Sequence, residues 1–208
     1  MSFKKAIVSI RGVSPLIWHA FNVNAISTER KEKTGVAGNN PEEWRDTVLC
    51  DRDGRLFITK NYIFGCLRAA AQHTKVGKGN LKSKVGATLQ VLGSNDIYVS
   101  NRKLPKPLQD LKGDELSTSP KSEVYLDICS VVNPSTKGRN IRYRVASSPG
   151  WILEFEIGWD TTIVGEKHME SVLKDAGTLI GLADGRSIGN GRFVVDSWKT
   201  ESVESLYE

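Results

Sequence analysis

Cysteine is scarce in this chain of 208 residues: three, Cys50, Cys66 and Cys129, widely spaced and without a C-x-x-C pair. A disulfide framework and a thiolate zinc site are not expected, and the natural setting is a reducing one, the cytoplasm. Long apolar runs are missing too. None approaches the roughly 20 residues of a membrane-spanning helix, so no membrane partner is expected. The apolar stretch after Met1–Lys5 is broken by Arg11 and Pro15, too early for the core of a secretory signal. Histidine is limited to His19, His73 and His168, and neither a Ser-His-Asp set nor a metal-ligand spacing forms around them. No Gly-Lys-Ser/Thr closes a Walker A loop. Low-complexity tracts and internal repeats are absent. No cofactor and no metal are expected.

What is present suffices to fold. Hydrophobic residues make up 39% and charged residues 25%, values of a chain that buries a core. The net charge of +5 is a moderate basic excess that does not by itself name an acidic partner. Ala6–Val13 alternates and is β-branched, which predicts a strand, and Leu16–Phe21 extends it beyond Pro15. The polar stretch 27–47, with Gly35, Gly38 and Pro41, reads as a long loop. Short strands are expected at Val48–Cys50 and Leu56–Ile58, around a turn at Asp51–Arg55. Asn61 is placed to cap a helix in which Ile63, Cys66, Leu67 and Ala70 share one face. Arg68 lies off that face, and Gly65 leaves room for another backbone.

Residues 75–122 are less regular. They hold Lys75, Lys78, Lys82 and Lys84 with no intervening acid, then a short strand at Asp96–Val99. Val124–Cys129 and Ile141–Val145 alternate as strands around a turn at Asn133–Arg139, which predicts a hairpin with a basic tip and with Arg142 and Arg144 on one face. The last third reads as a strand at Trp151–Trp159 and an amphipathic helix at Glu166–Ile180, its apolar side formed by Met169, Val172, Leu173, Ala176, Leu179 and Ile180. A strand at Arg192–Trp198 closes it. The expected fold class is α+β: a ferredoxin-like or RNA-recognition-motif-like antiparallel sheet with helices on one face, plus inserted loops and a basic hairpin. We expect one domain over 1–208, with framework at about 4–20, 46–75 and 150–199 and an insertion at about 76–149.

The most informative stretch is Gly181-Leu182-Ala183-Asp184-Gly185-Arg186-Ser187-Ile188-Gly189-Asn190-Gly191-Arg192. It runs from a predicted helix into a predicted strand. A dinucleotide fingerprint needs the opposite order, because its phosphate sits on a helix N-terminus. A glycine-rich loop with two arginines suits a phosphodiester backbone better than a nucleotide cofactor.

The ending Gly-Arg-Ser-Ile-Gly-Asn-Gly-Arg resembles the glycine-rich loop of the RAMP superfamily, the RNA-recognition-motif-fold proteins of CRISPR effector complexes. Leu56-Phe57-Ile58-Thr59-Lys60-Asn61-Tyr62-Ile63-Phe64-Gly65-Cys66-Leu67-Arg68 resembles that family's strand and helix start, with Thr59-Lys60-Asn61 where the family often has Pro-Gly-Ser. The resemblance implies a backbone subunit that polymerises along a single-stranded guide RNA. Its partners would be copies of itself, other effector subunits and target nucleic acid reached through the guide. By position Lys60, Asn61, Arg68, Gly185, Arg186, Ser187, Gly189 and Arg192 would face RNA. The hairpin around Arg139, Arg142 and Arg144 would be a thumb that kinks the strand. Phosphate contacts of this kind give sequence-independent affinity. The rival reading is an endoribonuclease, cleaving target RNA with Asp46 or processing guide RNA with His19 as acid–base group.

Overall fold

The computed structural model describes residues 2–21, 40–132 and 138–206. The stretch 27–39 of the predicted loop and the hairpin tip 133–137 lie outside them. In chain order the elements are β1 (Phe3–Gly12), β2 (Leu16–Ile17), α1 (Glu43–Thr47), β3 (Arg55–Thr59), α2 (Lys60–Ala70), β4 (Lys75–Val76), β5 (Gly79–Asn80), α3 (Lys82–Thr88), β6 (Gln90–Val91), β7 (Asp96–Lys103), β8 (Val124–Val132), β9 (Arg139–Ser147), β10 (Ile152–Asp160), α4 (Glu166–Asp175) and β11 (Phe193–Val203). They form two compact units. One comprises Met1–Leu16, Phe57–Asn101 and Pro149–Glu208, the other Ile17–Leu56 and Arg102–Ser148.

The first unit is built on a sheet of order β11-β1-β10-β7-β3, with β6 also pairing β10. Taking β1, β7, β10 and β11 as strands 1 to 4 gives the order 4-1-3-2. With α2 between the first and second and α4 between the third and fourth, this is the βαββαβ ferredoxin-like arrangement. The pairs β1–β10 and β1–β11 are antiparallel. Alternation decides the faces. Ala6, Val8 and Ile10 of β1 and Leu153, Phe155, Ile157 and Trp159 of β10 are buried, whereas Ile7, Glu154 and Glu156 are exposed. The helices supply the matching stripes: Ile63, Cys66, Leu67 and Ala70 from α2, Met169, Val172 and Leu173 from α4. The predicted α2 stripe is the observed one. β7 comes from the stretch 76–149 that the sequence set apart, yet it is a strand of this sheet.

Three local expectations are corrected. Thr59 stands at the α2 N-cap without a side-chain bond, and the Lys60 amide donates to Asn95 O at 3.0 Å; Asn61 is inside the helix and exposed. Nothing lies within 4 Å of a Cβ built on Gly65, so no backbone packs there. α4 ends earlier than predicted, in a π-helical turn at Ala176–Ile180. The wider turn rotates the following residues off the 3.6-residue register, leaving Leu179 45% exposed rather than in the core.

The second unit contains the sheet β2-β9-β8. β8 and β9 pair antiparallel from Val124↔Ser147 to Val132↔Arg139, as the predicted hairpin requires. Glu43–Thr47, expected as loop, is the short helix α1, with Trp44 fully buried. Val48–Cys50 is reduced to one bridge, Cys50↔Leu56. Among the described residues no helix is long and apolar enough to cross a membrane.

Candidate nucleic-acid interface

The glycine loop is a closed neck with a projecting tip. Gly181 leaves the π-turn at φ +85, and the Leu182 amide donates to Gly191 O at 2.9 Å across the neck. The neck is fastened to the segment after β1. The Gly191 amide donates to Pro15 O (2.7 Å), the Val13 amide to Arg192 O (2.8 Å) and the Arg192 amide to Ser14 Oγ (2.7 Å). At the tip, Arg186–Ile188 form one 3-10 turn between Gly185 (φ +71) and Gly189 (φ +92). Both flanking residues occupy the left-handed region that L side chains resist. Arg186, Ser187 and Ile188 are exposed, Ile188 by 78%. The amides of Ile188, Gly189, Asn190 and Gly191 all donate within the chain. The backbone donors on the returning side of the loop are thus engaged, and the tip presents the side chains of Arg186, Ser187 and Ile188.

The tip stands beside α2. Ala69, Leu179, Ile180, Ala183, Asp184, Gly185, Arg186 and Ser187 line one open groove of about 490 Å³. Burial pushes the Tyr62 hydroxyl above its usual range, Asp184 adds to the rise and Arg186 opposes it, so all three share this environment. Arg68 is exposed, and its Nε lies 3.0 Å from where a Cβ on Gly86 would sit; the guanidinium stem rests on α3. Lys60 is half-buried at the start of α2. Arg192 is placed differently from Arg186. It is half-buried in the neck, and its Nη1 is enclosed without a hydrogen-bond partner.

The basic hairpin belongs to the second unit. Arg144 is only 6% exposed, and its Nη2 donates to Asp127 at 2.6 Å and to Cys129 Sγ at 2.9 Å. Its guanidinium is occupied inside the hairpin and not offered outward. Arg142 Nη1 donates to Glu43 Oε1 at 2.5 Å. His19 Nε2 is 3.3 Å from the same carboxylate oxygen. Arg139 is exposed at the start of β9, on the face opposite Arg142 and Arg144. On that same face of the hairpin Ile128, Val132 and Ile141 are exposed. Asp46 lies in α1, half-buried. His19 is thus gathered with Glu43 and Arg142, and no bond joins it to Asp46 in the described structure. Among the described residues no group of three or more His, Cys, Asp or Glu side chains could hold a metal ion.

Comparison with family models and with curated proteins returns no match. Among solved structures, a chain from the cryo-EM structure of Type III-B Cmr-beta bound to cognate target RNA is similar to this one. The TM-score is 0.47 at 12% identity, over 96% of this chain and 61% of that chain. This chain thus spans less than two thirds of the length of that neighbour.

Two residues important to this geometry were not singled out from the sequence. Gly177, inside the π-turn, would place a Cβ 2.2 Å from Phe193 O; its signal is a glycine in an otherwise amphipathic helix. Glu43, which joins His19 to Arg142, sits in a helix too short to show a period. The thiols give a direct check on the surrounding packing. Burial pushes Cys66 up to about 12, against the opposing pull of Arg186 and Arg192, and pushes Cys50 up to about 11 with help from Asp51. At pH 8 both remain thiols, and the thiolate is the reactive form. Iodoacetamide is expected to leave Cys50 and Cys66 unmodified in the folded protein and to modify them in urea, as read by peptide mass spectrometry. Fast labelling of Cys66 in the native state would contradict the packing of α2 against the π-turn.

Proposed function

We propose that this protein is a single-stranded RNA-binding subunit of a CRISPR-type ribonucleoprotein effector, a backbone subunit that lies along a guide RNA. Its neighbours would be further copies of itself and other effector subunits, and it would meet target nucleic acid through the guide. The observation that supports this most is the tip of the glycine loop: Arg186 and Ser187 project at the rim of an open groove against α2, on a ferredoxin-like sheet. An exposed guanidinium and hydroxyl on a turn fixed by two left-handed glycines suit phosphate oxygens, which need charge and donors but no base-specific shape. Lys60 and Asn61 at the start of α2 and Arg68 further along it extend the same chemistry. The exposed apolar face of the hairpin, Ile128, Val132 and Ile141, suits contact with unstacked bases, and Arg139 suits the backbone beside it.

Fluorescence anisotropy with a labelled single-stranded RNA, a duplex DNA competitor and a salt titration tests the reading. Tight binding with a steep salt slope and weak competition by duplex are expected, with the RNA intact after incubation. Absence of RNA binding at low salt, both for the protein alone and with its co-expressed neighbours, would overturn it. Cleavage abolished by Asp46→Ala or His19→Ala would replace it with the endoribonuclease reading.

A further inference from the structure

The positive charge of this protein is segregated. From Gly54 to Asn95 there are 42 residues, seven Lys or Arg and no Asp or Glu; the other 166 residues carry 22 Lys and Arg against 24 Asp and Glu. The whole basic excess therefore lies in one stretch of chain. Arg55 is neutralised by Asp51 at 2.7 Å. Lys60, Arg68, Lys75, Lys78, Lys82 and Lys84 form no ion pair among the described residues, and all lie in the first unit.

The fold gathers them beside α2. At 100° per residue, Asn61, Gly65 and Arg68 fall on one ridge of α2, Gln72 follows in the turn after it, and all four are exposed. The groove of the glycine loop flanks this ridge on the side of Tyr62 and Ala69. On the other flank Arg68 rests over Gly86 of α3, the Leu81 amide donates to Ala71 O at 3.0 Å, and Lys82 Nζ donates to Gln72 Oε1 at 3.0 Å. The β4–β5 hairpin pairs Lys75 with Asn80 and carries Lys78 at its turn. Lys75, Lys78 and Lys84 are exposed. A continuous cationic surface thus runs from the loop tip across α2 to this hairpin.

Gly65 sits in the middle of the ridge. A glycine inside an exposed helix is less favourable than alanine by about 0.5–1 kcal/mol, and nothing within 4 Å of its missing Cβ explains it. Bare helix backbone at that point admits close approach by another polymer.

We infer that the nucleic-acid strand continues beyond the glycine loop, across the bare face of α2 at Gly65, onto a second phosphate-binding surface made by Arg68, Lys75, Lys78 and Lys84. This rests on the RNA-binding reading and deepens it. A phosphodiester backbone fits this surface better than a protein partner. Among the described residues, none of the exposed large apolar side chains falls between residues 54 and 95, whereas protein interfaces are centred on apolar or aromatic anchors.

The test is the salt dependence of single-stranded RNA binding for the wild type, for Arg186→Gln and for the triple variant Lys75→Gln, Lys78→Gln, Lys84→Gln, whose exposed positions leave the fold intact. Each phosphate that is no longer neutralised lowers the slope of log K against log salt by about 0.7 on a single strand, so the slope of the triple variant should be smaller by about 2. Gly65→Ala should raise the thermal midpoint by about 2–4 °C while weakening RNA binding. A triple variant with the wild-type slope would overturn the inference, as would a Gly65→Ala protein with unchanged affinity. Loss of a co-purifying protein subunit, with RNA binding intact, would make this a protein-docking face and overturn it too. A wild type that binds no RNA defeats the RNA-binding reading itself. An Arg186→Gln protein with a reduced slope beside an unaltered lysine variant defeats this inference alone.

Discussion

Gly191→Ala is expected to cost about 4 kcal/mol or more, close to the whole stability of a marginal domain. The Cβ would lie 2.0 Å from Leu182 O and 2.4 Å from Leu182 N, at φ +71. The left-handed conformation alone costs an alanine about 1–2 kcal/mol. The larger part is the clash, because both atoms it meets are backbone and cannot turn aside as a side-chain terminus can. Relieving it pulls apart the Leu182–Gly191 bond that closes the neck and the Gly191–Pro15 bond that fastens it. Gly189→Ala is the matched control. Its φ is +92 but nothing lies within 4 Å of the Cβ, so only the conformational cost of about 1–2 kcal/mol remains. Urea denaturation of the two variants should show a difference in midpoint that follows this order. Equal or reversed effects would mean that the neck is not closed as described.

Reversing charge at the loop tip and on the α2 ridge is the second large effect. Arg68→Glu and Arg186→Glu are each expected to lower single-stranded RNA affinity by at least about tenfold at 0.15 M salt, since a charge-assisted hydrogen bond contributes about 1.5–3 kcal/mol. Both side chains are exposed, so thermal stability should barely move. Arg144→Glu should differ by lowering stability. It sets two carboxylates against each other where Arg144 now meets Asp127, which destabilises the hairpin and should lower the thermal midpoint. Unchanged affinity after reversal at both Arg68 and Arg186 would remove the glycine loop and α2 from the interface.

Acid should weaken the first unit through two carboxylates held below their usual range. The Asp160 side chain accepts from the Thr162 amide and hydroxyl at 2.8 and 2.7 Å, and Glu166 accepts from Lys4 and Thr200. A depressed carboxylate stabilises the fold above its unfolded-state pKa, and that contribution disappears as pH falls through the folded-state value. Thermal midpoints should therefore be flat near neutrality and fall below about pH 4. Thr200→Val should make that fall shallower, and an acid limb identical to wild type would remove Thr200 from the cause.

The alternating strands Ala6–Ile10 and Leu153–Trp159 and the stripe Ile63-Cys66-Leu67-Ala70 were legible because a two-sided sheet and a half-buried helix impose periods on the residues they bury. The glycine loop was legible because positive-φ positions favour glycine, and Gly181, Gly185, Gly189 and Gly191 all fall in one short span, beside Ala183 at φ +58. α1 was not, since five residues inside a polar stretch show no period. The end of α4 was misjudged because a π-turn keeps helical composition while shifting the register, so Leu179 fits an apolar stripe in sequence and faces solvent in the fold. The burial of Arg144 was not legible for a different reason. Alternation puts it on the same face as Arg142 but says nothing of the Asp127 opposite it across the hairpin.

The sequence by itself determined the types of the longer elements, the hairpin of β8 and β9, the place of the glycine loop between helix and strand, and the confinement of the basic excess to one stretch, because these follow from local periods and local composition. Only the tertiary structure decided the 4-1-3-2 strand order, the fastening of the loop neck to Val13–Pro15, the burial of Arg144 and the meeting of α2 with both the loop tip and α3. Each of these joins residues far apart in the chain, and such pairings depend on which buried faces fit together, a property that no window of sequence contains.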